Sequence, residues 1–227
     1  MSREAWLIER KELLAREKAH ARAGDELAAA RRALPRVRVD KDYRFESATG
    51  RRTLAELFDG RSQLIVQHIM FGADWEAGCP ICSFWADGWS RQLVHLAARD
   101  VTMVGVSRAP IDRLTAYRRR MDWDFAWYSC AGSDFGEDFG VAPTAADLDR
   151  GEWTYNYAQV PVRGEEHHGT SVFERDGEGT VYHTYSTYGR GLDRMNGAYG
   201  YLDLTPKGRD EADLPFSMAW VRRHDEY

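Results

Sequence analysis

Residues 64–71 (LIVQHIMF), followed closely by Cys79-Pro80-Ile81-Cys82, constrain this chain more than any other feature. The first run is apolar, rich in β-branched residues and of strand length. From residue 83 to 99 the chain carries a helical stripe formed by Ile81, Trp85, Trp89, Leu93 and Leu96. Two cysteines separated by two residues at a strand-to-helix junction are placed for thiol–disulfide chemistry. With Cys79 as the helix cap, Pro80 takes the first helical position, where its missing N–H costs nothing and its fixed φ suits the helix. The Cys79 sulfur then faces the free N–H groups of Ile81 and Cys82 and the positive end of the helix dipole, an environment that favours a thiolate. Cys82, one turn further in, is the resolving thiol.

The same alternation continues downstream. Residues 101–107 (VTMVGVS) read as a strand and 111–121 as a helix, with Asp112 in its first turn and Arg118, Arg119 and Arg120 in its last. Residues 125–130 read as a third strand. Strand and helix at this spacing imply βαβ units and a parallel core. Residues 171–175, a turn at 176–179 and residues 180–185 then form a hairpin. Parallel β-α-β-α-β closed by an antiparallel hairpin is the order of a thioredoxin-type sheet. Upstream, 40–49 read as a short strand or hairpin and 53–58 as a helical turn. Residues 141–170 show no convincing element and read as a long insertion over the sheet. Beyond Gly140 the chain becomes rich in tyrosine and glycine, an aromatic C-terminal elaboration.

Residues 2–34 read as one long helix stopped before Pro35. Trp6, Leu13, His20, Leu27 and Leu34 recur every seventh position, flanked by Leu7, Leu14, Ala21 and Ala28. The stripe suits docking along its own domain better than a strong self-pairing coil, although a homodimer through this helix is a partner it allows. The division expected is a helical extension over 1–35 and a thioredoxin-like domain over 36–227.

A formal charge of −5 and a pI near 5.8 speak against a nucleic-acid platform, which needs clustered positive charge. Three cysteines cannot build a disulfide framework. The first residues, MSREAWLIERKELL, show no apolar signal region, and no run approaches the ~18 apolar residues of a membrane helix. The compartment expected is the cytoplasm, with no membrane partner, where a CxxC pair cycles or binds metal.

Several phrases together resemble one bacterial family: LPRVRVDKDYRFES, LFDGRSQLIVQHIMFG, DWEAGCPICSFWADG, GSDFGEDFGV, SVFERDG, VYHTYSTYGRGLD, YLDLTPKGRDE and MAWVRRHDEY. They look like the thioredoxin-like domain-of-unknown-function family 899, labelled "predicted dithiol-disulfide oxidoreductase", over almost the whole chain. More distantly, the element order is similar to the peroxiredoxin branch of the thioredoxin superfamily. The resemblance implies an α/β fold with a thioredoxin-like (peroxiredoxin-branch) sheet flanked by helices. It departs at two places: a histidine of the run Glu165-Glu166-His167-His168-Gly169-Thr170 stands where a cis-proline would be, and Cys130 stands where serine would be.

The chemistry expected is dithiol–disulfide exchange, with Cys79 as nucleophile, Cys82 as resolving thiol, and a protein or small-molecule disulfide or dithiol as partner. Pro80 and Trp75 support the site, and Asp74, Glu76 and His68 are the local proton acceptors. His168, Thr170, Tyr185 and Tyr188 are the candidate substrate-binding residues, since parallel sheets place sites at the carboxyl ends of their strands. No organic cofactor is implied. A different class is copper or zinc binding by Cys79, Cys82 and His168. A third is a thiol peroxidase, although Glu76 stands where those enzymes carry threonine. Cys130 is read as buried and inert.

Overall fold

The computed structural model describes residues 1–227 and divides them into two compact units, Met1–Val37 and Arg38–Tyr227. The first unit is helix α1 (Arg3–Arg32), 30 residues long and capped by the Ser2 hydroxyl, which accepts the Ala5 N–H at 3.2 Å. None of its residues is buried, and Trp6, Leu13 and Leu27 are all exposed. No helix is long and apolar enough to cross a membrane.

In the second unit the strands are β1 (Val37–Arg38, shared with the first), β2 (Arg44–Ser47), β3 (Gly50–Thr53), β4 (Gln63–His68), β5 (Val101–Ser107), β6 (Ala126–Ser129), β7 (Glu152–Tyr155), β8 (Ala158–Pro161), β9 (Gly169–Arg175) and β10 (Val181–Tyr188). The helices are α2 (Pro80–Ala86), α3 (Leu93–Ala97), α4 (Ile111–Arg120), α5 (Phe135–Asp138), α6 (Ala145–Arg150) and α7 (Gly197–Leu202). The main sheet runs β1-β10-β9-β4-β5-β6-β2-β3. Strands β4, β5 and β6 are parallel, and β9 and β10 close the sheet antiparallel, the thioredoxin-type order expected from the sequence. The hairpin β2–β3 extends the other edge.

Side chains alternate along β4, and the alternation sorts two cores. Leu64 and Val66 join Val104, Val106, Phe135 and Phe173 on one face. Ile65 and Ile69 face the opposite layer, where Cys82, Trp85 and Ala86 of α2 meet Leu114 and Tyr117 of α4. Gly105 in β5 permits this packing, because a Cβ there would lie 2.9 Å from Ile69 Cδ1 and 3.0 Å from Trp127 Cδ1. The C-terminal elaboration closes over the same layer. Phe84 makes edge contacts with Tyr199 and Trp220, and the Trp85 indole donates to the Leu192 carbonyl at 3.1 Å.

Two expectations need correction. The helix after the cysteines does not run unbroken over 83–99. It breaks after Ala86, where the Asp87 carboxylate accepts the Trp123 indole N–H at 2.9 Å and the backbone turns at Gly88, before a 3-10 turn (Ser90–Gln92) leads into α3. Residues 141–170 are also structured. Thr144 and Asp147 form a capping box on α6, and β7 and β8 pair as a separate hairpin. Its turn residues Asn156 and Tyr157 both have positive φ, 50° and 63°. A tyrosine in that conformation carries no turn signature, which hid the hairpin.

Candidate active site

The end of β4 and the start of α2 hold the two thiols through backbone bonds. The Cys79 N–H donates to the Met70 carbonyl at 2.9 Å, and the Met70 N–H donates to Cys82 Sγ at 3.4 Å. Cys79 caps α2 with Pro80 at its first position, and the Ser83 hydroxyl donates back to the Cys79 carbonyl at 2.9 Å. Cys79 is partly exposed, whereas Cys82 is buried, and both are free thiols.

The surroundings separate the two sulfurs electrostatically. The thiol of Cys82 donates to Cys79 and lowers its pKa to about 6 against the opposing cost of burial, with further pulls from the Cys82 and Ile81 amides and from the Arg223 charge. No amide meets the Cys79 sulfur with full capping geometry, so the thiol–thiol bond leads and the helix end assists. Cys82 is pushed well upward, first by that same bond and then by burial. The arrangement is a partly exposed thiolate beside a buried thiol that donates to it.

Three groups that the sequence reading missed surround the pair. Glu166 is 7% exposed, accepts the Phe71 N–H at 2.9 Å through Oε2, and leaves Oε1 without a hydrogen-bond partner. Burial pushes its carboxyl up to about 7, and its charge is felt at both Cys79 and Cys82. Its companion Arg108 stands 3.7 Å away and is half exposed, too remote for a strong pair. Arg223 donates to the Gly78 carbonyl through Nη2 at 2.8 Å, and to the Tyr117 hydroxyl through Nε at 3.0 Å. Tyr117 in turn lies 2.9 Å from the Ser83 hydroxyl. Only Glu166 had any local signal, a carboxylate just ahead of a buried strand. Arg223 is 145 residues from Gly78 along the chain.

The local acceptors named from sequence are elsewhere. His68 shares the parity of Leu64 and Val66, so its ring points away from α2, 5.6 Å from Phe135 and bonded to the Ser171 hydroxyl at 2.9 Å. Burial lowers its pKa to about 3. Asp74, Trp75 and Glu76 lie exposed in the loop before α2, which Arg113 holds by its Ala73 and Trp75 carbonyls.

The proposed binding residues divide as well. His168 comes close to the pair, lining a small cavity with Ile81, Cys82 and Trp85, its ring 6.3 Å from that of Trp85 and its pKa lowered by burial to about 4. Thr170 is buried and donates to Gln67 Oε1 at 2.6 Å, and Tyr188 is buried and donates to the Phe139 carbonyl at 2.8 Å. Both hydroxyls are buried and bonded inside the protein. Tyr185 lies on β10 beside an irregularity in its pairing with β9, half-buried. The alternative metal site at Cys79, Cys82 and His168 is not formed, since no three His, Cys, Asp or Glu side chains gather to hold an ion. His168 is packed against an indole instead. Cys130 is buried, and burial raises its pKa to about 12.

The β7–β8 hairpin closes the side of the site. Tyr155 donates to the His168 carbonyl at 2.9 Å, and the His167 ring sits 4.9 Å from Trp153 and 4.7 Å from Tyr155.

Parallel β4-β5-β6, the antiparallel β9–β10 pair and a dithiol at the start of α2 define a thioredoxin-type α/β protein. The chain belongs to the family described as "Bacterial protein of unknown function (DUF899)", whose model matches residues 1–227. Among solved structures it is similar to peroxidoxin BcpB from Mycobacterium tuberculosis, at 15% identity over 73% of this chain and 94% of that one, with a TM-score of 0.42. It is also similar to reduced Prx3 from Vibrio vulnificus in complex with hydrogen peroxide, at 13% identity over 69% and 88%, with a TM-score of 0.46. A protein assigned as the thiol:disulfide interchange protein DsbE of Chlorobium tepidum is similar at 13% identity over 73% and 98%, with a TM-score of 0.41. No match was found among curated proteins.

Proposed function

We propose that this protein is a dithiol–disulfide oxidoreductase, with Cys79 as nucleophile and Cys82 as resolving thiol. The observation that carries the reading is two free thiols at the start of α2, Cys79 partly exposed at its cap and Cys82 buried against the Met70 N–H, an arrangement that lowers Cys79 and raises Cys82. With its pKa lowered below neutrality, Cys79 is mainly thiolate at pH 7, the attacking form. Cys79 S⁻ attacks a disulfide RSSR, forming Cys79–S–SR and releasing RS⁻. Cys82 next loses its proton and attacks the Cys79 sulfur, releasing the second RS⁻ and leaving a Cys79–Cys82 disulfide. Two electrons pass from the protein to RSSR, and an external dithiol reverses the change. Glu166, with a free oxygen and a pKa near neutrality, is suited to take up the Cys82 proton. The partner is a protein or small-molecule disulfide.

The test uses the reduced protein with a chromogenic aromatic disulfide. Cys82→Ser should accumulate a mixed disulfide at Cys79 by mass spectrometry, whereas Cys79→Ser should form none there. Alkylation of Cys79 should reach half its maximal rate near pH 6. A Cys79 that titrates no earlier than Cys130, or a Cys82→Ser protein that traps nothing, overturns the reading.

A further inference from the structure

The segment after Trp220 is fastened across the end of the site by charge. Arg120 grips Asp225 through Nε at 2.7 Å and Nη2 at 3.0 Å, and also reaches Glu226 at 3.0 Å. His224 Nδ1 meets Asp87 at 2.7 Å, at the far end of α2. Glu226 also holds Arg223 Nη1 at 2.9 Å. The guanidinium so oriented turns its remaining N–H groups inward. Both Nη2 and Nε approach the carbonyl of Gly78, the residue before Cys79, at 2.8 and 3.2 Å.

From Tyr117 a directional relay enters the first turn of α2. Arg223 donates to Tyr117, and Ser83 donates its only hydroxyl proton to the Cys79 carbonyl, so Tyr117 must donate to Ser83. Gly78 makes room for this, because a Cβ there would lie 2.9 Å from Tyr117 Cε1.

We propose that Arg223 is a positioning residue for the dithiol: its guanidinium ties the C-terminal segment to the Gly78 carbonyl and the Tyr117–Ser83 relay, and fixes a positive charge beside the Cys79 sulfur. The inference rests on the dithiol reading and deepens it. Among the leading influences on Cys79 the positive charge is that of Arg223, the smallest of them, while Cys79 and Glu166 repel each other as anions. Stabilising the thiolate stabilises the reduced form, so Arg223 makes the couple more oxidising. The equilibrium is protein dithiol plus glutathione disulfide against protein disulfide plus two glutathione thiols, in which the protein loses the two electrons that glutathione disulfide gains.

The experiment measures two quantities on the full chain: the pKa of Cys79 by alkylation rate, and the equilibrium with glutathione at pH 7. Arg223→Gln should raise the pKa by about half a unit and shift the equilibrium about two- to threefold toward the protein disulfide. Arg223→Lys, which keeps the charge without the fork, should fall between it and wild type. Arg222→Gln, removing an exposed neighbouring charge, should change neither. Should Arg223→Gln fail to fold, Glu226→Gln, which releases the guanidinium, should still raise the pKa. Unchanged values in Arg223→Gln, or an equal shift in Arg222→Gln, overturn the proposal. A wild type that shows no equilibrium with glutathione counts against the dithiol reading, and the alkylation titration still decides on Arg223.

Discussion

At the scale of single residues, the site depends on how two identical side chains are made unlike. Cys79 and Cys82 start from the same solution pKa, and the thiol–thiol bond together with unequal burial drives them apart. The next requirement is a place for the buried proton, and Glu166 is the group whose pKa and free oxygen fit. Glu166→Gln should leave the first attack by Cys79 nearly unchanged and slow resolution by Cys82 about 10²-fold. Quenched-flow mass spectrometry of the mixed disulfide separates the two steps. Equal resolution rates in variant and wild type between pH 6 and 8 would remove Glu166 from the proton path.

At the scale of elements, the β7–β8 hairpin and α1 carry the clearest consequences. Trp153 of β7 is buried, stacks on Tyr155 at 5.4 Å, and backs His167, which follows Glu166 directly. Trp153→Ala should therefore cost about 3–5 kcal/mol in urea unfolding. It should also let Glu166 titrate closer to an ordinary carboxylate, readable as a lower midpoint in the pH dependence of resolution. A variant with the lost stability but an unmoved midpoint would mean that the hairpin is only a brace. For α1 the test is truncation, since Met1–Val37 forms its own compact unit. A chain beginning at Arg38 should unfold in one cooperative transition and retain the Cys79 alkylation profile. Loss of that transition would place the extension within the folding unit.

At the scale of the whole molecule, buried titratable groups set opposing pH trends. His68 and His168 have folded pKa values of about 3 and 4, below the unfolded 6.5. Their stabilisation is complete above pH 6.5 and is lost as pH falls toward those values. Glu166 lies above its unfolded value, at about 7, so its contribution is full below pH 4.5 and is lost as pH rises through 7. Summed, these three groups leave stability nearly level between pH 6.5 and 8 and remove about 1–2 kcal/mol by pH 5. In Glu166→Gln the offset disappears, and the change between pH 5 and 8 should be about two and a half to three times as large. Urea midpoints across that range test it, and parallel profiles for the two proteins would show that Glu166 is not held neutral by the fold.

The sequence by itself determined the local layers of this protein. Strand periods at 64–71 and 101–107, the Cys79-Pro80 helix start and the 176–179 turn depend on residues close along the chain, and the structure follows them. Only the tertiary structure decided which groups serve the dithiol. The parity of β4 turned His68 to the opposite core, the indole of Trp85 took His168 out of any ligand set, and a carboxylate ahead of β9 and an arginine near the C-terminus came to the thiols instead. Periodicity is a property of neighbours, whereas a pKa and a hydrogen-bond partner depend on what packing brings together and which water it removes.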